Sequence, residues 1–206
     1  MRNNRVGLNV KKVLPGLLLA LWLGAPVGAA HAEEQLLENR YFAAPALEAG
    51  QRNVMPEDWM TFSSDNQVQI HLTRDRAKEG EQSVRFAASG TANTFQGMSQ
   101  VAAVEAGSSY EFAVHVYLAR EEEDRGSLRG QLSVEWLNAQ DEEVARSWGP
   151  VWTDEDSPGF WQEFSLTAEA PEGAVNGRFV ITQFDTGDAE RPGIFHVDDA
   201  GVWELP

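Results

Sequence analysis

From residue 67 onward, apolar and polar side chains exchange at every second position. Val68, Ile70 and Leu72 alternate with Gln67, Gln69 and His71, and Ser83–Phe86 continues in the same style. Tyr110, Phe112, Val114, Val116 and Leu118 alternate with Glu111, Ala113, His115 and Tyr117. Leu132, Val134 and Trp136 alternate with Gln131, Ser133 and Glu135; Phe164 and Leu166 flank Ser165; Phe179 and Ile181 alternate with Val180 and Thr182. A strand turns successive side chains to opposite faces, so this period predicts half-buried strands. Turn-forming stretches separate them at Lys78–Gly80, Glu105–Ser108, Asn138–Asp141, Pro171–Gly173 and Thr186–Asp188. No amphipathic helix of any length lies between them. Short, evenly spaced strands predict an all-β fold: a β-sandwich jelly roll of two antiparallel sheets. Arg120–Gly126 reads as a solvated charged loop, and Thr153–Pro158 as an acidic loop beside Trp148 and Trp152.

The last predicted strand, Gly193–Leu205, poses a problem. Ile194, Phe195, Val197, Val202, Trp203 and Leu205 are apolar, yet Asp198 and Asp199 stand side by side in the middle. Strict alternation sends only one of two neighbours outward, and a buried, unpaired carboxylate is costly. The inward acid is therefore expected to hold a metal ion, a hydrogen-bond network or a catalytic proton.

The first 32 residues break the pattern. Arg2, Arg5, Lys11 and Lys12 precede the apolar run Val13–Leu23, and Ala30-His31-Ala32 closes the segment with an A-x-A site. This is the signature of a secretory signal peptide cleaved after Ala32, so the product is expected to be secreted or periplasmic, with residues 33–206 as one domain. The run falls short of about 20 apolar residues and contains Pro15 and Gly16, which disfavours a membrane anchor. Cysteine is absent, which removes thiolate chemistry and cysteine-based zinc sites.

Charge sharpens the reading. The chain has 16 basic and 32 acidic residues, and 4 of the basic ones lie in the first 32 positions. Residues 33–206 thus carry 12 basic against 32 acidic residues, a formal charge of −20, with Lys78 the one lysine. Such a surface repels nucleic acid and anionic membranes and favours neutral ligands, cations or cationic partners.

Several landmarks fall in a recognisable order: Leu36-Leu-Glu-Asn39 before Tyr41-Phe42, Pro56-Glu-Asp-Trp59, Ala77–Gly80 before Ser83–Phe86, Phe95–Gln100, Gly107–Phe112, Trp161–Phe164, Ala170-Pro171 and Phe195–Asp199. Over nearly all of residues 35–205 this order resembles carbohydrate-binding modules of the family 4 and 9 type, which have a galactose-binding-domain-like jelly roll. The resemblance implies glycan binding on a concave sheet face or in end loops, with catalysis left to other domains. It also implies a structural calcium between the terminal strands. Asp198 is the expected metal ligand, aided by Asn39 and carbonyls of Lys78–Gly80, with Glu38 and Glu81 as substitutes. Ala43 departs from the pattern, which has a carboxylate after the aromatic Phe42, so a hydrogen-bonded Asp198 tying the terminal strands stands beside calcium as an alternative.

Neutral sugars are held by aromatic rings on their C–H faces and by several hydrogen bonds, each netting only about 1 kcal/mol against water. If the apolar parity of each strand faces the core, His115, Tyr117, Glu135, Arg178 and Thr182 collect on the other side, with Phe95 beside them. Gln100 shares the core parity of Met98 and reads as a structural hydrogen-bonder. Trp136, Trp161 and Trp203 read as core residues, whereas Trp59, Trp148 and Trp152 read as loop platforms for a sugar ring. The expected ligand set is Trp59, Phe95, His115, Tyr117, Glu135, Arg178 and Thr182.

No His pairs at metal-binding spacing and no G-x-S-x-G turn is present. The function expected is an exported, monomeric, non-catalytic carbohydrate-binding module without nucleic-acid binding or membrane insertion. The rivals are a cell-envelope structural or adhesion module and a small glycan-active hydrolase or lyase. An exposed apolar patch would favour the first rival, and two facing carboxylates in a groove the second.

Overall fold

The computed structural model describes residues 35–119, 128–156, 158–185, 187 and 193–206. The signal-peptide reading of residues 1–32, the charged loop at 120–126 and most of the turn at 186–188 lie outside them. Among the described residues ten strands form: β1 (Met60–Ser63), β2 (Ile70–Thr73), β3 (Ser83–Ala87), β4 (Thr94–Ala103), β5 (Ser109–Leu118), β6 (Leu128–Leu137), β7 (Glu143–Thr153), β8 (Trp161–Glu169), β9 (Asn176–Asp185) and β10 (Ile194–Leu205). They make two five-stranded antiparallel sheets, ordered β1-β4-β9-β6-β7 and β2-β3-β10-β5-β8. The all-β sandwich expected from the alternation is thus present.

The core lies where the apolar parity of the two sheets meets. Met98, Leu132, Val134, Trp136, Phe179 and Ile181 from the first sheet face Phe86, Phe112, Val114, Val116, Phe195 and Val197 from the second, all nearly or fully buried. Phe86 stacks on Phe195 with ring centroids 4.6 Å apart, and Phe112 meets Phe179 edge-on across the sandwich at 5.5 Å. Each such side chain contributes about 1.5–3 kcal/mol by leaving water. Trp152 closes this core from β7, against Phe164 and Phe195. Gly130 makes that possible, because a Cβ there would overlap the Trp152 indole.

Polar side chains stitch the two sheets through the interior. Gln96 of β4 donates to the Ala87 carbonyl of β3 at 2.6 Å and to Gln183 Oε1 of β9 at 2.8 Å, and accepts from the Gln69 amide at 2.7 Å. Gln183 donates in turn to the Gly193 carbonyl at 2.7 Å, beside β10. Gln100 clasps Glu38 through both backbone groups, at 2.6 and 3.1 Å, so the structural role read from its parity holds. Buried amides satisfied on both ends fix the sheet-to-sheet register, since any slip leaves them unpaired.

Replacing Gln96 by Leu keeps the volume but strands the Gln69 amide, the Ala87 carbonyl and Gln183. The expected cost is about 2–3 kcal/mol in denaturant unfolding. Gln183→Leu should behave alike, and the double variant should lose less than the two single losses together, because they share one hydrogen bond.

Candidate functional site

The outer face of the β1-β4-β9-β6-β7 sheet forms a basin, and strand register explains its shape. One transverse row reads Met60, Ser99, Val180, Ser133 and Trp148 across all five strands. Its middle is small, and its ends are large and open to solvent: Met60 is 67% and Trp148 60% exposed. A parallel row runs Phe62, Gly97, Thr182 and Gln131. A Cβ at Gly97 would overlap the Phe62 ring, so this glycine lets the ring lie across its strand. Phe95 and Phe184 bound the basin on one side; Phe95 is 44% exposed and meets Phe62 edge-on at 6.4 Å.

A charged row bounds the other side. Val101, Arg178, Glu135 and Arg146 are successive partners on β4, β9, β6 and β7. Arg178 Nη1 donates to Glu135 Oε2 at 2.6 Å, and Arg146 Nη2 lies 2.7 Å from Glu135 Oε1. Arg146 also grips Glu143 through Nε and Nη2, at 2.9 and 2.7 Å, and lies 5.0 Å from the Trp148 ring centroid. Burial opposes ionisation of Glu143 less than the Arg146 hydrogen bonds favour it, so its carboxyl sits below the usual range. The enclosed volume is about 540 Å³.

Four of the expected ligand residues, Phe95, Glu135, Arg178 and Thr182, therefore come together in this basin. The other three do not. His115 and Tyr117 do point away from the core, but β5 belongs to the second sheet, so they lie on a different outer face. Parity decides the face of a strand and says nothing about which sheet the strand joins. Trp59 is buried at 6% exposure against Phe42, with centroids 5.4 Å apart, and forms part of the core rather than a loop platform. Trp152 is likewise a core residue, whereas Trp161 and Trp203, expected inside, are half-buried at the second sheet's outer side. Met60, Phe62 and Trp148 complete the basin. The β1 sequence MTFS alternates as a strand does, but its apolar side faces outward, and β7 lacks regular alternation altogether.

On the second sheet, β10 answers the question of the paired acids with a β-bulge. Asp199 takes a φ of 50°, and the register to β5 shifts between Asp198 and Gly201. The extra residue leaves both acids on the outer side, beneath the turn at residues 78–79. Asp198 is fully buried there: Oδ2 accepts the amides of Lys78 and Glu79 at 2.8 and 3.0 Å, and Oδ1 accepts the Asp199 amide at 2.8 Å. Burial raises its affinity for a proton despite these bonds. Asp199 is held by Arg40 and by Lys78 Nζ at 3.0 Å, with His115 Nδ1 at 3.4 Å. Burial works to raise the Asp199 carboxyl, but the Arg40 and Lys78 hydrogen bonds outweigh it and hold it below its ordinary value.

These donors do not fit a calcium ion. Calcium requires some 6–8 oxygen ligands, yet N–H groups rather than carbonyls of residues 78–79 point at Asp198, and a lysine and an arginine flank Asp199. Asn39 spends its side chain on Ala44 and the Glu57 carbonyl. Among the described residues, no group of three or more His, Asp or Glu gathers as a metal site. Asp198 has the geometry of the hydrogen-bonded alternative, a carboxylate that ties the 78–79 turn to the last strand.

Comparison with known proteins places the fold. No protein-family model matches the sequence, and no curated protein matches it. Solved structures do. The CBM22-1 xylan-binding domain of Paenibacillus barcinonensis Xyn10C superposes with a TM-score of 0.53 at 15% identity over 86% of this chain and 98% of that one. TmCBM61, solved with β-1,4-galactotriose, gives 0.52 at 13% identity over 84% and 100%. The enzymatically active domain of bacteriophage CBA120 tailspike protein 4 gives 0.53 at 13% identity, but there the match takes in 72% of this chain and only 20% of that one. At these identities the likeness establishes the β-sandwich fold of carbohydrate-binding modules.

Adding calcium or a chelator should leave the melting temperature unchanged, whereas Asp198→Ala, which strands three amides, should cost about 2–4 kcal/mol in denaturant unfolding. A calcium-dependent rise in melting temperature would refute the assignment. Acid should weaken the fold through His196, which is 6% exposed. Burial, with Arg85 and Arg76 nearby, lowers its pKa from 6.5 to about 4. Between those values the unfolded chain binds the proton and the folded chain does not, so stability present near neutrality is lost as pH falls from about 6.5 to 4. The loss is on the order of 3 kcal/mol. In His196→Gln the pH dependence across that window should be shallower by about this amount.

Proposed function

We propose that the chain is an exported, non-catalytic carbohydrate-binding module, related to the family 4 and 9 type, that holds a neutral oligo- or polysaccharide in the β1-β4-β9-β6-β7 basin. The observation that carries this reading is the composition of the basin. Open aromatic rings at Phe95 and Trp148 stand around a floor that includes Ser99 and Thr182, with a row of charged hydrogen-bonding groups alongside. Rings on C–H faces and short polar groups toward hydroxyls are what sugar recognition requires. The likeness in fold to xylan- and galactotriose-binding modules supports the same reading. Export rests on the leader pattern of residues 1–32, with residues 33–206 as the exported domain.

The basin is poorly suited to glycoside hydrolysis, which needs two carboxylates flanking the bond. Among the described residues lining it, Glu135 is the one carboxylate, and both its oxygens are engaged by guanidinium groups. The Arg178 and Arg146 charges are spent on Glu135 and Glu143, which favours a neutral ligand over an acidic one.

Retention of the folded protein on a panel of neutral and acidic polysaccharides tests the proposal. Trp148→Ala and Phe95→Ala should each weaken retention on the bound neutral glycan about tenfold, the loss expected for about 1.4 kcal/mol of ring contact, without lowering the melting temperature. Retention on no glycan would turn the reading toward an adhesion module using the same exposed rings for protein contact. Release of sugar from any polymer would turn it toward an enzyme.

A further inference from the structure

A second pocket of about 540 Å³ lies on the other sheet, between the loop at residues 47–53 and the outer side of β2 and β3. Its lining is polar and rich in arginine for so acidic a chain. Arg52, Arg74 and Arg85 stand with Glu48 and Asp75, and Arg74 also pairs with Glu81 at 3.7 Å. Arg74 has structural work: its Nη2 donates to the Leu47 carbonyl and so pins the loop that walls the pocket. Arg85 is half-buried and makes no hydrogen bond or ion pair with any described residue.

Register makes the position of Arg85 more unusual. It stands directly opposite His71 on β2 and His196 on β10. Three adjacent strands thus present three basic side chains in one row, an arrangement that disfavours folding when they are charged. Burial, followed by the field of Arg85, keeps both imidazoles below their ordinary pKa. A half-buried guanidinium without a counter-ion is expensive in any protein. In a chain with 32 acidic residues, an intramolecular partner would be easy to supply. The planar fork of Arg85 is free to receive two oxygens of one oxyanion.

We propose that this pocket is a second binding site, independent of the basin, that takes an oxyanion on Arg85 and Arg52 with His71 alongside. The ligand is the carboxylate of an acidic sugar or a free inorganic phosphate or sulfate. The proposal does not rest on sugar binding in the basin, and the test separates the two. Inorganic phosphate, inorganic sulfate and an oligogalacturonate are titrated into the folded protein, and backbone amide and His71 ring resonances are followed. Saturable shifts centred on residues 47–53, 71 and 85 are expected, weakening as salt rises.

Arg85→Gln should weaken this binding at least tenfold while leaving the melting temperature unchanged or higher, since it removes an uncompensated charge. Arg52→Gln, an exposed loop change that does not threaten folding, should weaken it several-fold. Trp148→Ala should leave it intact. Saturation by oligogalacturonate alone assigns the site to a sugar carboxylate, and equal saturation by phosphate or sulfate assigns it to the free ion. No saturable response to any probe, or binding unaltered in both arginine variants, overturns the proposal.

Discussion

Each side chain on the basin floor stands between two that are packed inside. Val180 lies between Phe179 and Ile181, Ser99 between Met98 and Gln100, Ser133 between Leu132 and Val134, and Thr182 between Ile181 and Gln183. Alternation along a strand imposes this, and the rest of the basin depends on it. The backbone that carries the floor cannot shift without moving fully buried neighbours, and the interior of a protein is too densely packed to yield smoothly. The basin is therefore preorganised. Under the proposed function a ligand would not have to order it, which removes one of the main entropic costs of association.

The period of two made most of this legible. It located the strands around Phe112, Val134 and Phe179, and it sent Glu135, Arg178 and Thr182 outward as the structure does. Gln100 was readable for the same reason. The partition of strands between sheets was not, because a connection that crosses the sandwich leaves no mark on periodicity; His115 and Tyr117 were grouped with the basin on that account. Trp59 and Trp148 read alike from local composition, as loop platforms, yet only Trp148 stands open to solvent. Proline, glycine and acids surround both, but Trp59 turns into the space beside Phe42, whereas Trp148 rides outward on β7. The bulge at Asp199 had a local trace in the Asp-Asp-Ala-Gly run. Aspartate tolerates positive φ better than most residues, and glycine inside a strand often accompanies a bulge.

Net charge proved a poor guide to local sign. The domain is strongly acidic, yet its most buried acid is tied to backbone amides, and Asp199 sits among Arg40, Lys78 and His115. In the basin, positive and negative groups neutralise one another along the Arg178–Glu135–Arg146 row. Arg85 stands instead between His71 and His196, two imidazoles held below their ordinary pKa, and makes no ion pair with a described residue. The two outer faces thus differ: one pairs its charges along a single row, the other pairs them around Asp199 and leaves Arg85 without a described ion pair.

Gly97 sets the depth of the basin. With hydrogen in place of a methyl group, the Phe62 ring rests low across β4; a Cβ would meet the ring and, on the other side, the Ile181 carbonyl of the neighbouring strand. A larger residue would therefore lift a lining ring and strain the β4–β9 pairing together. The openness of the trough thus hangs on one atom of backbone clearance at its centre.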